Sequence, residues 1–270
     1  MTEDWFALNR RRWDEVAGIH PGTKFYGVDR FKAGENSLLP LELAEVGDVA
    51  GKSLLHLQCH FGLDSLNWAR LGARVTGLDF SSEAIRQARK LAAETGLAAE
   101  FVEANVYDAA QVIDRQFDIV FVSWGALCWL PDLRRWAEIV MRLLAPGGFL
   151  YVLEGHPTAN ILEQTERTGA IFANYPYFNG AEPVLFHVDK TYADDLPVKN
   201  KDEATWLHPM STILSSILNV GLSIEFFREH QVLAWPLFPC MTKGEDGYWR
   251  LPADRPSLPL SFSLKASKHG

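Results

Sequence analysis

The stretch LLHLQCHFGLDSL, residues 54–66, decides how this chain is read. Its leucines, Leu54, Leu55 and Leu57, read as a buried strand, and its end opens a helix running to about Gly72. A strand that turns straight into a helix is where nucleotide-binding folds keep a glycine-rich turn. Here Gln58, Cys59, His60 and Phe61 occupy the turn, and only Gly62 is a glycine. The stretch alone leaves two readings open: a cofactor loop carrying side chains where glycines are usual, or an ordinary connection.

The sequence on either side narrows the choice. ARVTGLD is a second strand, and SSEAIRQARKLAAETG a helix with Ser81 or Ser82 as its cap and Gly96 past its end. AEFVEAN and FDIVFVS are the third and fourth strands. The fourth is almost continuously apolar, as a parallel strand covered on both faces should be. LPDLRRWAEIVMRLLAPGG is a helix stopped by Pro146 and Gly147, and FLYVLEG is a fifth strand. Strands and helices in alternation predict an α/β, Rossmann-like, mostly parallel seven-stranded sheet with helices on both faces. LSIEFFREH and LPLSFSLKAS supply its last strands, the final one antiparallel, and HPMSTILSSILNVG a helix before them.

Four regions follow. Residues 1–49 are an N-terminal helical and loop cap, 50–154 the cofactor-binding core, 155–205 an insertion, and 206–270 the completion of the core. The insertion is rich in aromatics, prolines and acids, with EPVLFHV and KTYADD as antiparallel strand candidates. A segment of this length without strong periodicity is more often a functional element than a connector.

The formal net charge of −8 opposes a phosphate backbone and argues against nucleic acid as the main partner. Arg10, Arg11 and Arg12 are the one basic run, read as the solvated face of the first helix. Three scattered cysteines make neither a disulfide framework nor a zinc site. No signal peptide or membrane-length apolar run is visible, so the expectation is a cytoplasmic protein away from the membrane. Oligomeric state is left open.

Ligands of open parallel sheets sit beyond the carboxyl ends of the strands. The Gln58–Gly62 turn, Asp79, Asn105, Ser123 and Glu154 all lie at such ends. Asp79 is the sharpest, because an acid ending the second strand can accept both hydroxyls of a ribose. Its plainer role is to cap the following helix.

With LLHLQCHFGLDSL, VTGLDFS, VEANVYD, FDIVFVS and LLAPGGFLYVLE in this order, the chain resembles the class I S-adenosylmethionine-dependent methyltransferases. More narrowly, it resembles a bacterial small-molecule branch with a QCHFG-type loop. The resemblance implies S-adenosyl-L-methionine as cofactor and puts Gln58, His60 and Gly62 at the three usual glycine positions, with His56 replacing an acid. It implies Asp79 on the ribose, Phe80 on the adenine face, and Asn105 and Val106 at the adenine edge. Ser123 and Trp124 fall near the methionine and sulfonium. This cofactor has no phosphate to cradle, so side chains in the loop are less disabling than for a dinucleotide.

Methyl transfer needs alignment above all, with a base only if the acceptor must lose a proton. Glu154, His156 and His208 are the candidate bases, with His187 and Asp189 a weaker pair. Trp13, Tyr26, Trp129 and Tyr177 are the candidate acceptor pocket, within a wider set of aromatics that reads as a lid or, more plainly, a satellite core. No metal site is expected. The reading is methyl transfer to a small-molecule acceptor. Its rivals are a nicotinamide-dependent oxidoreductase, disfavoured by Gln58, His60 and Phe61 in the turn, and a non-catalytic S-adenosylmethionine-binding protein.

Overall fold

The structure is a computed structural model that describes residues 4–270. The N-terminal segment forms α1 (Trp5–Ile19), the short α2 (Val28–Lys32) and α3 (Pro40–Val46). The core then alternates through β1 (Ser53–Leu57), α4 (Leu63–Arg70), β2 (Arg74–Asp79), α5 (Ser82–Thr95) and β3 (Ala99–Glu103). It continues with a single turn, α6 (Ala109–Val112), β4 (Phe117–Ser123), α7 (Leu133–Leu143) and β5 (Leu144–Gly155). Ser81 caps α5 by accepting from the amide of Ala84, and Gly96 closes it in the left-handed region.

After β5 come a single turn, α8 (Pro157–Asn160), and two small ribbons, β6 (Leu162–Gln164) with β7 (Ile171–Ala173) and β8 (Val184–His187) with β9 (Asp202–Thr205). The chain finishes with α9 (Met210–Asn219), β10 (Ser223–His230), a third ribbon of β11 (Thr242–Lys243) and β12 (Trp249–Arg250), and β13 (Ser261–Ser267). The seven-stranded sheet has the order β10-β13-β5-β4-β1-β2-β3. β13 runs antiparallel to both of its neighbours and the other pairings are parallel, as the sequence predicts.

Alternate residues of the central strands feed two cores. Leu55, Leu57, Val120, Val122, Leu150 and Val152 pack under α7 and α9, around the fully buried Trp136. Leu54, Ile119, Phe121, Tyr151 and Leu153 pack on the other face against Trp68 of α4. Period-two alternation with both sets apolar is what a sheet covered on both sides requires.

Two expectations are corrected here. KTYADD is a turn, with Asp194 and Asp195 at φ 60° and 52°, and the partner of Val184–His187 is instead Asp202–Thr205. Arg12 is not on a solvated face. It is 6% exposed and pairs with Glu203 at 2.6 Å while donating to the carbonyl of Asn200, whereas Arg10 and Arg11 are exposed. The inner face of α1 is polar at Asn9 and Arg12, where it meets backbone, and apolar at Val16 and Ala17. The Asn9 side-chain amide donates to the Ala204 carbonyl and accepts from the Ala204 amide, tying α1 to β9.

Gly62 begins α4 at φ +75°, and a Cβ there would lie 2.7 Å from Phe101 and 2.8 Å from Ala88. Gly62→Ala therefore adds an overpacked methyl to a left-handed strain. Urea unfolding is expected to show a loss of about 3 kcal/mol, and a loss under about 1 kcal/mol would mean that α4 and β3 separate readily.

Candidate functional site

The carboxyl ends of β1, β2, β4 and the start of α4 border a cavity of about 640 Å³. Its floor is the 58–62 turn. Gln58 and His60 stand at φ 55° and 52°, and Gly62 at 75°, so alternate residues adopt the left-handed backbone that glycine favours. The turn thus keeps a glycine loop's path and adds side chains to it, at a cost on the order of 1 kcal/mol for each non-glycine residue. Local bonds offset this cost: Gln58 Nε2 donates to the Ala126 carbonyl at 2.8 Å, and the Cys59 backbone amide to the Leu78 carbonyl at 2.9 Å. Gln58 Oε1 is buried with no donor.

Asp79 ends β2 at the cavity wall. One carboxylate oxygen accepts from the His60 amide and the other from the Ser81 amide, both at 2.9 Å. Each oxygen keeps lone pairs for a further donor. Burial raises its pKa to about 6, against the lowering by the amides of Ser81 and His60. Phe80, Asn105, Val106, Ser123 and Trp124 also line the cavity. Asn105 is braced by accepting from the Tyr107 amide, and Trp124 by donating from Nε1 to Glu42 at 3.1 Å.

His60 faces the cap. Its Nε2 lies 2.8 Å from Nδ1 of His20, so one ring carries the proton of this bond and the other accepts it. Burial, then the neighbouring His20, holds His60 well below the usual imidazole range, and burial followed by the Arg12 charge takes His20 to about 3. Both rings are neutral at physiological pH. His56 is neutral as well, pushed to about 3 by burial, with Nδ1 2.9 Å from Ser65 Oγ.

Of the proposed acceptor pocket, Trp13, Tyr26 and Trp129 line the cavity. Trp13 meets both Trp129 and His60 edge-on at 5.2 Å between ring centres. Tyr177 does not join them: its hydroxyl accepts from the Met210 amide at the head of α9. Tyr192 is the one lining residue drawn from 155–205, its hydroxyl bonded to that of Tyr26, and Phe178 is 80% exposed. The roof is therefore built mainly by the N-terminal segment and the loop after β4, with Tyr192 as the insertion's one contribution.

The three candidate bases lie outside the cavity lining, each held by structural bonds. Glu154 accepts from the amides of Gly125, Ala126, Leu127 and Gly155 at 2.6–2.9 Å, so it clamps the loop that follows β4. His156 caps α8 by accepting from the Thr158 amide and turns Nε2 to Glu229 at 3.1 Å. His208 Nε2 donates to the Leu130 carbonyl at 2.7 Å. His187 and Asp189 lie on the exposed edge of the β8–β9 ribbon, also away from the lining.

Residues 55–150 match the family described as a methyltransferase domain, spanning β1 to the middle of β5. Over these residues the chain is similar to methyltransferase domains. The ubiquinone biosynthesis O-methyltransferase of Photorhabdus laumondii is 34% identical over 109 residues, 40% of this chain and 45% of that protein. The enzyme of the same name from Proteus mirabilis is 27% identical over 155 residues, 51% of this chain and 63% of its own. The chain spans about half the length of the curated relatives it matches. Among solved structures, an S-adenosylmethionine-dependent methyltransferase from Mesorhizobium loti superposes with a TM-score of 0.59 at 21% identity, covering 88% of this chain and all of that one. A DhpI–SAH complex superposes at 0.56 and 16% identity, covering 100% and 99%. These likenesses fix the fold.

The cavity also presents two acids that sequence reasoning missed, Asp64 at the start of α4 and Glu42 of α3. Asp64 stands inside the quoted stretch, where it reads as a first-turn acid of a helix. Glu42 sits in LLPLELAEVG, where it closes a capping bond to the Leu39 amide at 2.7 Å. Trp235, from the segment between β10 and β11, also lines the cavity and gave no signal beyond its being aromatic.

Proposed function

We propose that the protein transfers the methyl group of S-adenosylmethionine to a small organic acceptor held in the same cavity. Asp79 carries this reading: a buried carboxylate at the end of β2, on the cavity wall, with an unused lone pair on each oxygen. The donor set fits the cofactor. Asp79 would bind the ribose hydroxyls, Asn105 and Val106 would flank the adenine edge, and Phe80 its face. Gln58 Oε1 is an acceptor without a donor beside the loop. A nicotinamide dinucleotide suits the loop less, because its pyrophosphate needs bare amides where Gln58 and His60 carry side chains.

Bound S-adenosylmethionine supplies a methyl group on positively charged sulfur, open to in-line displacement. The chain contributes alignment, on the order of 7–11 kcal/mol for well-oriented groups. Trp13, Tyr26, Trp129 and Tyr192 exclude water above the loop. Their ring faces are compatible with a sulfonium. His60, held neutral, sets no opposing charge beside it.

Calorimetry with S-adenosylhomocysteine tests the reading. Binding tighter than about 100 μM is expected at pH 7.5. It is expected to weaken, by at most about tenfold per pH unit, as pH falls through about 6 and Asp79 takes up a proton. The sign for folding is opposite. Asp64 and Asp79 keep protons up to about pH 6 in the folded chain, whereas unfolded aspartates release them near ~4. From pH 6 down to 4 these two groups therefore favour folding while weakening the ligand. No heat of binding at millimolar ligand, or tighter binding of NADH, would end the proposal.

A further inference from the structure

We infer that Thr191 and His20 are positioning residues: through them His60 carries its proton on Nδ1 and offers the cavity a neutral N–H donor for the carboxylate of the cofactor's methionine part. The inference rests on the methyltransferase reading and names what holds one end of the ligand there. The three side chains come from distant parts of the chain. His60 belongs to the 58–62 turn, His20 follows α1, and Thr191 lies between β8 and β9. They form one hydrogen-bonded row. His20 Nδ1 lies 2.8 Å from His60 Nε2, and His20 Nε2 lies 2.5 Å from Thr191 Oγ1.

Proton accounting sets the direction of this row. Thr191 is 2% exposed and His20 is 0% exposed, so neither turns to water. Thr191 Oγ1 already accepts from the Ala193 amide at 3.3 Å. Its hydroxyl has a hydrogen to give, and His20 Nε2 is the one acceptor within reach among the described residues. A buried hydroxyl left without an acceptor is costly. Thr191 therefore donates to His20 Nε2, which leaves the proton of the neutral His20 ring on Nδ1. That nitrogen donates to His60 Nε2, and a neutral ring that accepts at Nε2 holds its own proton at Nδ1. Burial keeps both rings from becoming imidazolium ions, which would donate on both sides.

His60 Nδ1 has no partner among the described residues, and the ring lines the cavity beside Trp13 and Tyr26, with ring centres 5.2 and 5.9 Å away. The turn thus presents a donor and not a base. The charges nearby indicate what it would meet. Asp64 and Glu42, bonded to Ser123 and Trp124 at the methionine end, suit the ammonium of the cofactor. The carboxylate on the same carbon needs donors of its own. Arg30 and Lys243 are the cationic side chains of the lining, but both are exposed, and Arg30 lies 3.9 Å from Glu35. A neutral N–H bonded to a carboxylate makes a charge-assisted bond and buries no second ion.

The test uses the full chain and two ligands, S-adenosylhomocysteine and its decarboxylated form, which keeps the adenosine and the ammonium. The wild-type chain is expected to bind S-adenosylhomocysteine about tenfold more tightly than the decarboxylated form. Thr191→Val keeps the shape and removes the hydroxyl, so His60 is free to carry its proton on Nε2. This change is expected to weaken S-adenosylhomocysteine about fivefold and to leave the decarboxylated form within about twofold, and Thr191→Ser is expected to restore the wild-type preference. Long-range proton–nitrogen NMR spectra of the histidine-labelled wild-type chain are expected to report His60 as neutral with its proton on Nδ1.

A His60 proton on Nε2 overturns the inference. So does equal binding of the two ligands by the wild-type chain, or a folded Thr191→Val chain that keeps the carboxylate preference or loses both ligands alike. Should Thr191→Val not fold by circular dichroism, the wild-type spectrum and the wild-type ligand preference still decide. If the wild-type chain binds neither ligand, the methyltransferase reading itself has failed and this inference falls with it.

Discussion

Asp79→Ala is expected to raise the dissociation constant of S-adenosylhomocysteine about 100-fold, close to 2.7 kcal/mol. Hydrogen bonds from ribose hydroxyls to a buried carboxylate are charge-assisted, and alanine removes both acceptors at once. The same change strips the acceptors from the His60 and Ser81 amides, so a stability loss of about 2 kcal/mol should accompany it. Asp79→Asn separates the effects, because it keeps an oxygen and the shape while giving up the charge. Calorimetry on the two variants, with urea unfolding alongside, reads both quantities. A folded Asp79→Ala chain with an unchanged dissociation constant removes the ribose role.

Glu154→Ala has the larger expected effect on folding, about 4 kcal/mol by urea unfolding. Its carboxylate satisfies four backbone amides, three of them in consecutive residues of the loop after β4. Without it those donors are buried unpaired and Ser123, Trp124 and Trp129 lose their anchor. Turnover is expected to fall together with stability, with the midpoint of the pH–rate profile unmoved. A shifted midpoint with native stability would instead make Glu154 a base, the role its position in the sequence suggests.

That contrast shows what the sequence carries and what it withholds. Alternating strands and helices were legible because both sheet faces are apolar, so Ile119–Val122 leaves no other arrangement. The rim of strand ends was legible because parallel strands must end together, and Gln58, Asp79, Asn105 and Ser123 do line one cavity. Direction was not legible. Glu154 and His156 sit at the same rim and turn away from it, because backbone donors lie nearer than the cavity does. Glu42 and Asp64 went unnoticed for the converse reason, since acids in a helix's first turn have an ordinary role there. Arg12 was misread because helical spacing marks which face is inward and not whether that face meets side chains or carbonyls.

The pairing of Asn9 with Ala204 has one more consequence. A two-stranded ribbon on a surface offers unpaired amides and carbonyls to any extended segment that drifts past. Here a single asparagine occupies both groups at that point of β9, imitating the next strand in a ladder. The first helix thus acts as a stopper against intermolecular strand addition, and self-association by that route would first have to pull it away.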